Sequence, residues 1–268
     1  MSGRFVLLDA VDLTYRAGED EGTLALEGAS LGVGRGEFAA IVGPSGCGKS
    51  TILKLVSGLL AANRGRVEVA ARPVAGPVKM AGMAFQNPTM LPWLSAIDNV
   101  LVPLKIVQPY RSQFKQKRAE YEERARALFK TVGLAGFEKR FPWQLSGGMQ
   151  QRASLCRALI HEPEMLLLDE PFGALDAFTR EDLWATLQEL WMSRRPTVIL
   201  VTHDLREAAY LADRIFVMSA RPGRVIAAHE VPFPRPRTLD MTFSGEFVEL
   251  IHALRREISD AREEALAA

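Results

Sequence analysis

Cysteine is scarce in this chain. Cys47 and Cys156 are the only two among 268 residues, too few for a disulfide framework or a four-thiolate metal site, and neither has neighbours at ligand spacing. That points to a reducing compartment. Long apolar runs are missing as well: the longest, such as residues 165–168 and 198–201, fall far short of the roughly 20 residues that a membrane-spanning helix needs. A role at a membrane therefore implies another polypeptide that crosses it. Near the N-terminus, Asp9 interrupts the apolar residues before they reach signal-peptide length, and no export is expected. An excess of charge of one sign is also lacking. With 33 Lys and Arg against 32 Asp and Glu, the formal net charge is +1, which removes the broad positive field that non-specific nucleic-acid binding relies on. What is there, 48% hydrophobic and 24% charged residues, is the make-up of an ordinary globular protein and excludes disordered, collagen-like and disulfide-rich classes. The length suits one large domain or a core with a smaller subdomain.

Hydrophobic patterning gives the organisation. Residues 5–8, 11–15 and 24–33 read as strands of an antiparallel edge sheet, with Gly18-Glu19-Asp20-Glu21-Gly22 as a polar turn. Residues 37–42 are a continuous apolar strand of the kind buried on both faces, running into a glycine-rich turn and a helical pattern over 49–57 that Gly58 ends. Buried strands recur at 165–168 and 197–201, each trailed by a helical pattern. Strands alternating with helices argue for an α/β core with a parallel sheet covered on both sides. Residues 88–141 hold no buried strand. They contain a short apolar segment at 97–102 and a long charged helix over 113–132, ended by Gly133, and read as a helical subdomain (about 88–158) inserted into the core. The charges of that helix, Lys115, Lys117, Arg118, Glu120, Glu122, Glu123, Arg124 and Arg126, mix both signs at short spacing, as a solvated face with i,i+4 pairs does. After Ser219 come a turn at Arg221-Pro222-Gly223-Arg224, a strand over 225–231, a proline-rich extended connector and an amphipathic helix over 246–265. The stripe Phe247, Leu250, Ile251, Leu254 and Ile258 has packing on the core as its first reading and a partner surface as its alternative. The division is thus one domain over 1–231 and an extension over 232–268.

Three motifs carry chemistry. Gly43-Pro44-Ser45-Gly46-Cys47-Gly48-Lys49-Ser50 fits the phosphate-binding loop and lies between a buried strand and a helix. Glycines let successive main-chain amides curl toward a phosphate, the helix start adds dipole potential, Lys49 reaches the β- and γ-phosphates, and Ser50 can ligate Mg²⁺. Met165-Leu166-Leu167-Leu168-Asp169-Glu170 is an apolar strand ending in two acids at the edge where ligands of open α/β sheets bind. Asp169 suits Mg²⁺ through its water shell, and Glu170 suits the orientation of an attacking water. In Leu145-Ser146-Gly147-Gly148-Met149-Gln150, Ser146 reads as the N-cap of a helix running to about residue 159, a second anion seat or simply a capped helix.

The ordered set of phosphate loop, Gln86 after a strand at 83–85, signature at 145–150, acidic pair, Ala174-Leu175-Asp176 and His203 resembles the nucleotide-binding subunit of an ATP-binding cassette (ABC) transporter over nearly the whole chain. That resemblance implies a phosphate-loop NTPase fold and two cassettes packed head to tail, each ATP lying between the loop of one chain and the signature of the other. It implies ATP contacts from the loop through Thr51 and a stacking role on adenine for Tyr15, which otherwise reads as a strand tyrosine covering the core. It implies that Gln86 contacts Mg²⁺ and water, that His203 contacts the γ-phosphate and braces Glu170, and that Asp176 communicates across the dimer as well as capping a helix.

The same resemblance implies Mg²⁺-dependent ATP hydrolysis by a homodimer at the cytoplasmic face of the inner membrane, docked on separate permease subunits and served indirectly by a solute-binding protein, with no nucleic-acid partner. Cassettes on separate chains favour an importer. The segment from Gln86 to Val100 and the Arg221 turn look like the nitrate, sulfonate and taurine importer group. An ABC ATPase for another solute, such as a thiamine precursor, or a non-transport ABC ATPase, are the alternatives. A chromosome-type ATPase would need sustained heptads between residues 52 and 144, which are absent, and a ribosome-acting factor would usually carry a second phosphate loop.

Overall fold

The computed structural model describes residues 3–15, 22–173 and 175–267. Gly18, Glu19, Asp20 and Glu21 of the expected polar turn, and Ala174, lie outside the described residues. The chain runs through β1 (Arg4–Tyr15), β2 (Thr23–Gly34), β3 (Phe38–Val42), α1 (Lys49–Val56), β4 (Arg64–Val69), β5 (Arg72–Pro73), β6 (Ala81–Ala84), α2 (Ala96–Val100), α3 (Tyr110–Gln113), α4 (Arg118–Thr131), α5 (Gly147–Leu159), β7 (Met165–Asp169), α6 (Ala177–Arg194), β8 (Thr197–Val201), α7 (Leu205–Leu211), β9 (Arg214–Met218), β10 (Val225–Glu230) and α8 (Gly245–Ala267). The α/β class expected from the alternating pattern holds. The chain forms two compact units, residues 1–78 with 191–268, and residues 79–190.

The first unit contains an antiparallel sheet in the order β2-β1-β4-β5. Its strand β1 is continuous where two strands were expected: the interruption at Asp9 and Ala10 is a register shift against β2, with Ala10 at φ 48°, so the chain bulges and keeps pairing. The same unit holds β3 between the parallel strands β8 and β9, with β10 antiparallel on β9. All five residues of β3 and of β8 are buried, which is why both read as unbroken apolar runs. The C-terminal extension packs on this unit. Phe247 and Leu254 of α8 are buried, and Phe247 stacks on Phe233 of the connector at 5.3 Å between ring centroids. Packing, the first of the two readings of the stripe, is what Phe247 and Leu254 do.

Arg237 ties the connector to α7. It is only 3% exposed and donates from Nη1 to the carbonyls of Ala209, Tyr210 and Ala212, and from Nε to that of Phe233. Burial pushes its guanidinium down to about 10, still protonated at neutral pH. A positive charge on the last carbonyls of a helix satisfies acceptors that the helix itself leaves open.

In the second unit β6 and β7 pair in parallel, Ala84 opposite Leu168. Helix α5 lies directly on β6: a Cβ at Gly82 would come within 2.1 Å of the Ala158 carbonyl oxygen. Helix α4 begins at Arg118 rather than near Gln113. Phe114 leaves the expected helix to join an aromatic cluster, 5.8 Å from Tyr121, which in turn sits 6.0 Å from Tyr110. The mixed charges form the expected surface pairs, Arg118 with Glu122 and Arg126 with Glu122 and Glu123, solvent-screened contacts that add little to stability.

Replacing Arg237 with Met leaves the α7 carbonyls unpaired, and we expect a loss of about 2–4 kcal/mol in urea unfolding; a change below about 0.5 kcal/mol would show the bonds to be dispensable. His161 supplies a pH dependence. The residue is 7% exposed, and burial, reinforced by the Arg124 charge, lowers its pKa from 6.5. Between the lowered value and 6.5 the unfolded chain binds a proton that the folded chain does not, so this residue erodes stability as pH falls below 6.5. His161→Leu should therefore gain stability relative to the parent protein between pH 8 and pH 5, measured by paired urea melts.

Candidate functional site

In the first unit the chain leaves β3 at Val42 and curls through Gly43, Pro44, Ser45, Gly46, Cys47 and Gly48 into α1. Gly48, at φ 99°, is the position before the helix, and a Cβ there would meet Leu26 Cδ2 at 2.7 Å. No side chain caps the start of α1 and no acid stands in its first turn. The open amides and the positive end of the helix therefore face outward as an anion seat. Lys49 is buried, and its ammonium donates to the carbonyls of Gly43 at 2.9 Å and Pro44 at 2.7 Å, folded back over the loop that it would serve. Burial raises the Cys47 thiol despite the neighbouring Lys49 charge, so it is a neutral thiol in the loop. Tyr15, 40% exposed, places its hydroxyl 3.1 Å from Thr51 Oγ1. The structure thus brings Tyr15, Thr51 and the loop together, and the glycine-lined curl, uncapped helix and lysine fit a polyphosphate.

Parallel register sets what else reaches this edge. Ile41 pairs with Val201 and Val42 with Val217, so His203 and the segment after β9 emerge at the same end of the strands as the loop. His203 is exposed. The residues around it are pinned: Thr202 Oγ1 accepts from the Asp204 amide at 3.0 Å, and Asp204 caps α7 by accepting from the amides of Arg206 and Glu207. Arg221 was not singled out by sequence reasoning as a site residue. Its guanidinium donates from Nε and Nη2 to the Gly46 carbonyl at 3.2 and 3.1 Å and braces the loop from outside.

In the second unit, parallel pairing of β6 with β7 brings Gln86 to the same edge as Asp169 and Glu170. Asp169 is buried. Glu170 has a left-handed backbone, φ 45°, and its carboxylate accepts from Gln86 Nε2 at 3.2 Å. This pairing holds together two residues 84 positions apart. Gln151, another residue sequence reasoning missed, donates from Nε2 to the carbonyls of Gln86 at 3.3 Å and Glu170 at 3.2 Å.

The signature forms the start of α5 as expected. Ser146 Oγ accepts from the Met149 amide at 3.2 Å, Gly147 and Gly148 open the helix, Leu145 is buried, and Gln150 donates back to the carbonyls of Pro142 and Leu145. Asp176 caps α6, accepting from the Thr179 amide at 3.0 Å, and hydrogen bonds from Thr179 hold its carboxyl below the ordinary range. Among the described residues no cluster of three or more His, Cys, Asp or Glu is arranged to hold a metal. Within the second unit, Gln86 and Asp169 offer oxygen donors that suit a cation keeping much of its water and taking few protein ligands, as Mg²⁺ does.

The family model described as ABC transporter matches residues 26–173. The chain is similar to the aliphatic sulfonates import ATP-binding protein SsuB of Bacillus licheniformis, 44% identical over 218 residues that cover 81% of this chain and 82% of the relative. It is 43% identical over 215 residues, 80% of this chain and 77% of the relative, to the nitrate import ATP-binding protein NrtD of Synechococcus elongatus. Among solved structures it resembles the dimeric post-hydrolysis state of the ATP-binding cassette MJ0796 bound to ADP and Pi, with a TM-score of 0.73, 31% identity and coverage of 85% of this chain and 100% of that one.

The backbone at Gly48 generates a prediction. Gly48→Ala puts a methyl group against Leu26 in a left-handed position, and we expect a loss of about 1–3 kcal/mol in chemical unfolding; unchanged stability would mean that the loop relaxes freely.

Proposed function

The chain belongs to the ABC transporter family, and from that membership we propose that it is the ATP-hydrolysing subunit of an importer for a small anion of the nitrate, sulfonate or taurine type. The observation that carries the nucleotide chemistry is the contrast between two helix starts: α1 opens uncapped behind a glycine loop and Lys49, whereas α5 opens on the capped Ser146 and two glycines. The names of the relatives support the anion class.

Bound MgATP supplies the phosphoanhydride and a divalent charge on its phosphates. The amides of the loop from Gly43 to Thr51 bind those phosphates, and Lys49 exchanges its two carbonyl acceptors for β- and γ-phosphate oxygens. Tyr15 stacks on the base. Ser50, Asp169 and Gln86 hold the cation and its water. Glu170 orients the attacking water and takes its proton, a task typically contributing about 10²–10⁴-fold in rate. His203 contacts the γ-phosphate. In a homodimer, Leu145, Ser146, Gly147, Gly148, Met149 and Gln150 address the nucleotide held by the partner subunit, and Asp176 links the two sites. Hydrolysis removes the group that both subunits hold, which turns chemistry into opening and closing.

No described helix is long and apolar enough to cross a membrane. In the proposed importer, separate permease subunits carry out translocation, with this chain at their cytoplasmic face and a solute-binding protein upstream. Exposed aromatics in the second unit, Trp93 and Trp143, suit contact with such a permease.

Two measurements test this reading. In phosphate-release assays Lys49→Ala should lose turnover through nucleotide binding, while Glu170→Gln should bind ATP normally and turn over about 10²-fold or more slowly; parental rates in either variant would remove that residue from its role. In vesicles carrying the permease, taurine, an alkanesulfonate or nitrate should accumulate with internal ATP. Accumulation of a thiamine precursor in their place would reassign the solute.

A further inference from the structure

Helix α5 starts at the signature, and its side reaches into the residues assigned to hydrolysis. Five residues past Ser146, Gln151 is 3% exposed. Its Nε2 donates at once to the main-chain carbonyls of Gln86 and Glu170, the two residues whose side chains meet at 3.2 Å. Further along the helix, Arg157 donates to the carbonyls of Pro88 and Thr89. Two of these four carbonyls belong to residues with strained backbone: Glu170 is at φ 45° and Thr89 at φ 43°, conformations that non-glycine residues rarely adopt. The helix therefore holds the Gln86 loop on one side and the turn at Glu170 on the other.

The chemistry of Gln151 separates positioning from packing. Only the donor end of its amide is used. Its Oε1 is buried with no hydrogen-bond partner among the described residues. A buried acceptor without a partner is unfavourable, and an apolar side chain of the same length would fill the space without it. What an apolar side chain lacks is one N–H donor able to hold two carbonyls from segments 84 residues apart in a fixed relation.

We infer that Gln151 is a positioning residue for ATP hydrolysis, coupling the signature helix to Gln86 and Glu170 of the same chain. The inference rests on the roles proposed above for those two residues. Because the helix start addresses the nucleotide held by the partner subunit, a shift of α5 moves both carbonyls together and sets the carboxylate that orients water. Engagement of one nucleotide thereby reports to the hydrolytic residues that act on the other.

The test uses the full chain with MgATP and compares Gln151→Met, which keeps length and removes the donor, with Gln151→Asn, which keeps the amide one methylene short, and with Glu170→Gln as reference. We expect Gln151→Met to lower kcat about tenfold or more, with KM for ATP and the affinity for a fluorescent ATP analogue within about threefold and a thermal midpoint within a few degrees of the parent. Gln151→Asn should show the same split to a smaller degree. Parental kcat in Gln151→Met while Glu170→Gln is inactive overturns the inference and leaves the functional reading standing; normal turnover in Glu170→Gln overturns both. A KM rise together with a collapsed midpoint in both variants overturns it in favour of a packing role. Where Gln151→Met does not fold, Gln151→Asn decides alone: lowered kcat at unchanged KM supports the inference, and parental kcat overturns it.

Discussion

The register of β3 with its two parallel neighbours is the constraint on which the nucleotide face of the first unit depends. Ile41 lies opposite Val201 and Val42 opposite Val217, so three chain segments leave the strands at one level: the phosphate loop, the His203 segment and the segment that carries Arg221. A one-residue slip of β9 would carry Arg221 away from the Gly46 carbonyl, and a slip of β8 would displace His203 relative to the loop. Nothing in the loop itself corrects such an error, because its glycines accept many conformations. Precision comes instead from strands buried on both faces, where register is held by packing above and below.

A second pattern follows from how cations are satisfied. Lys49 donates to the carbonyls of Gly43 and Pro44, Arg221 to that of Gly46, and Arg157 to those of Pro88 and Thr89. A carbonyl satisfies a donor without neutralising its charge, whereas a carboxylate does both. Lys49 thus stays ordered while its positive charge remains effective toward phosphate. The near-zero net charge of the chain conceals this, since a sum over all residues carries no information about where one uncancelled charge stands.

What could be read from the sequence followed the reach of each interaction. The phosphate loop, the capped start of α5 and the buried strands are local patterns: glycine spacing, Ser146 before a helix, unbroken apolar runs. The expected break in β1 became a bulge because pairing with β2 on both sides outweighs the turn propensity of Asp9 and Ala10. The early start expected for α4 failed because Phe114 finds aromatic neighbours that periodicity along one helix cannot foresee. Gln151, Arg157 and Arg221 escaped for one shared reason. Their acceptors are main-chain carbonyls 19 to 175 residues away, and a carbonyl has the same chemistry at every position, so no residue type marks the partner.

Two departures from local preference, at Glu170 and Thr89, fall on the segments that α5 holds, and others, at Ala10, Ala70, Ala71, Glu162 and Arg195, lie elsewhere. Ser146, Asp176 and Asp204 cap their helices in the ordinary way, and the antiparallel sheet and α4 obey their periodicities once the bulge and Phe114 are accounted for. Glu170 and Thr89 do not follow preference, and neither does Gln151 with its unpartnered oxygen. Strain of this kind, about 1–3 kcal/mol for each residue held in a sparsely populated backbone region, persists only when the surroundings over-determine it. Here one helix supplies that constraint to Glu170 and Thr89, through Gln151 on the Glu170 carbonyl and Arg157 on the Thr89 carbonyl. A Glu170 backbone fixed this way cannot relax toward a more favoured conformation without breaking its hydrogen bond to α5. Its geometry then belongs to the helix as much as to its own turn, which is the physical sense in which the signature can govern a residue it does not touch.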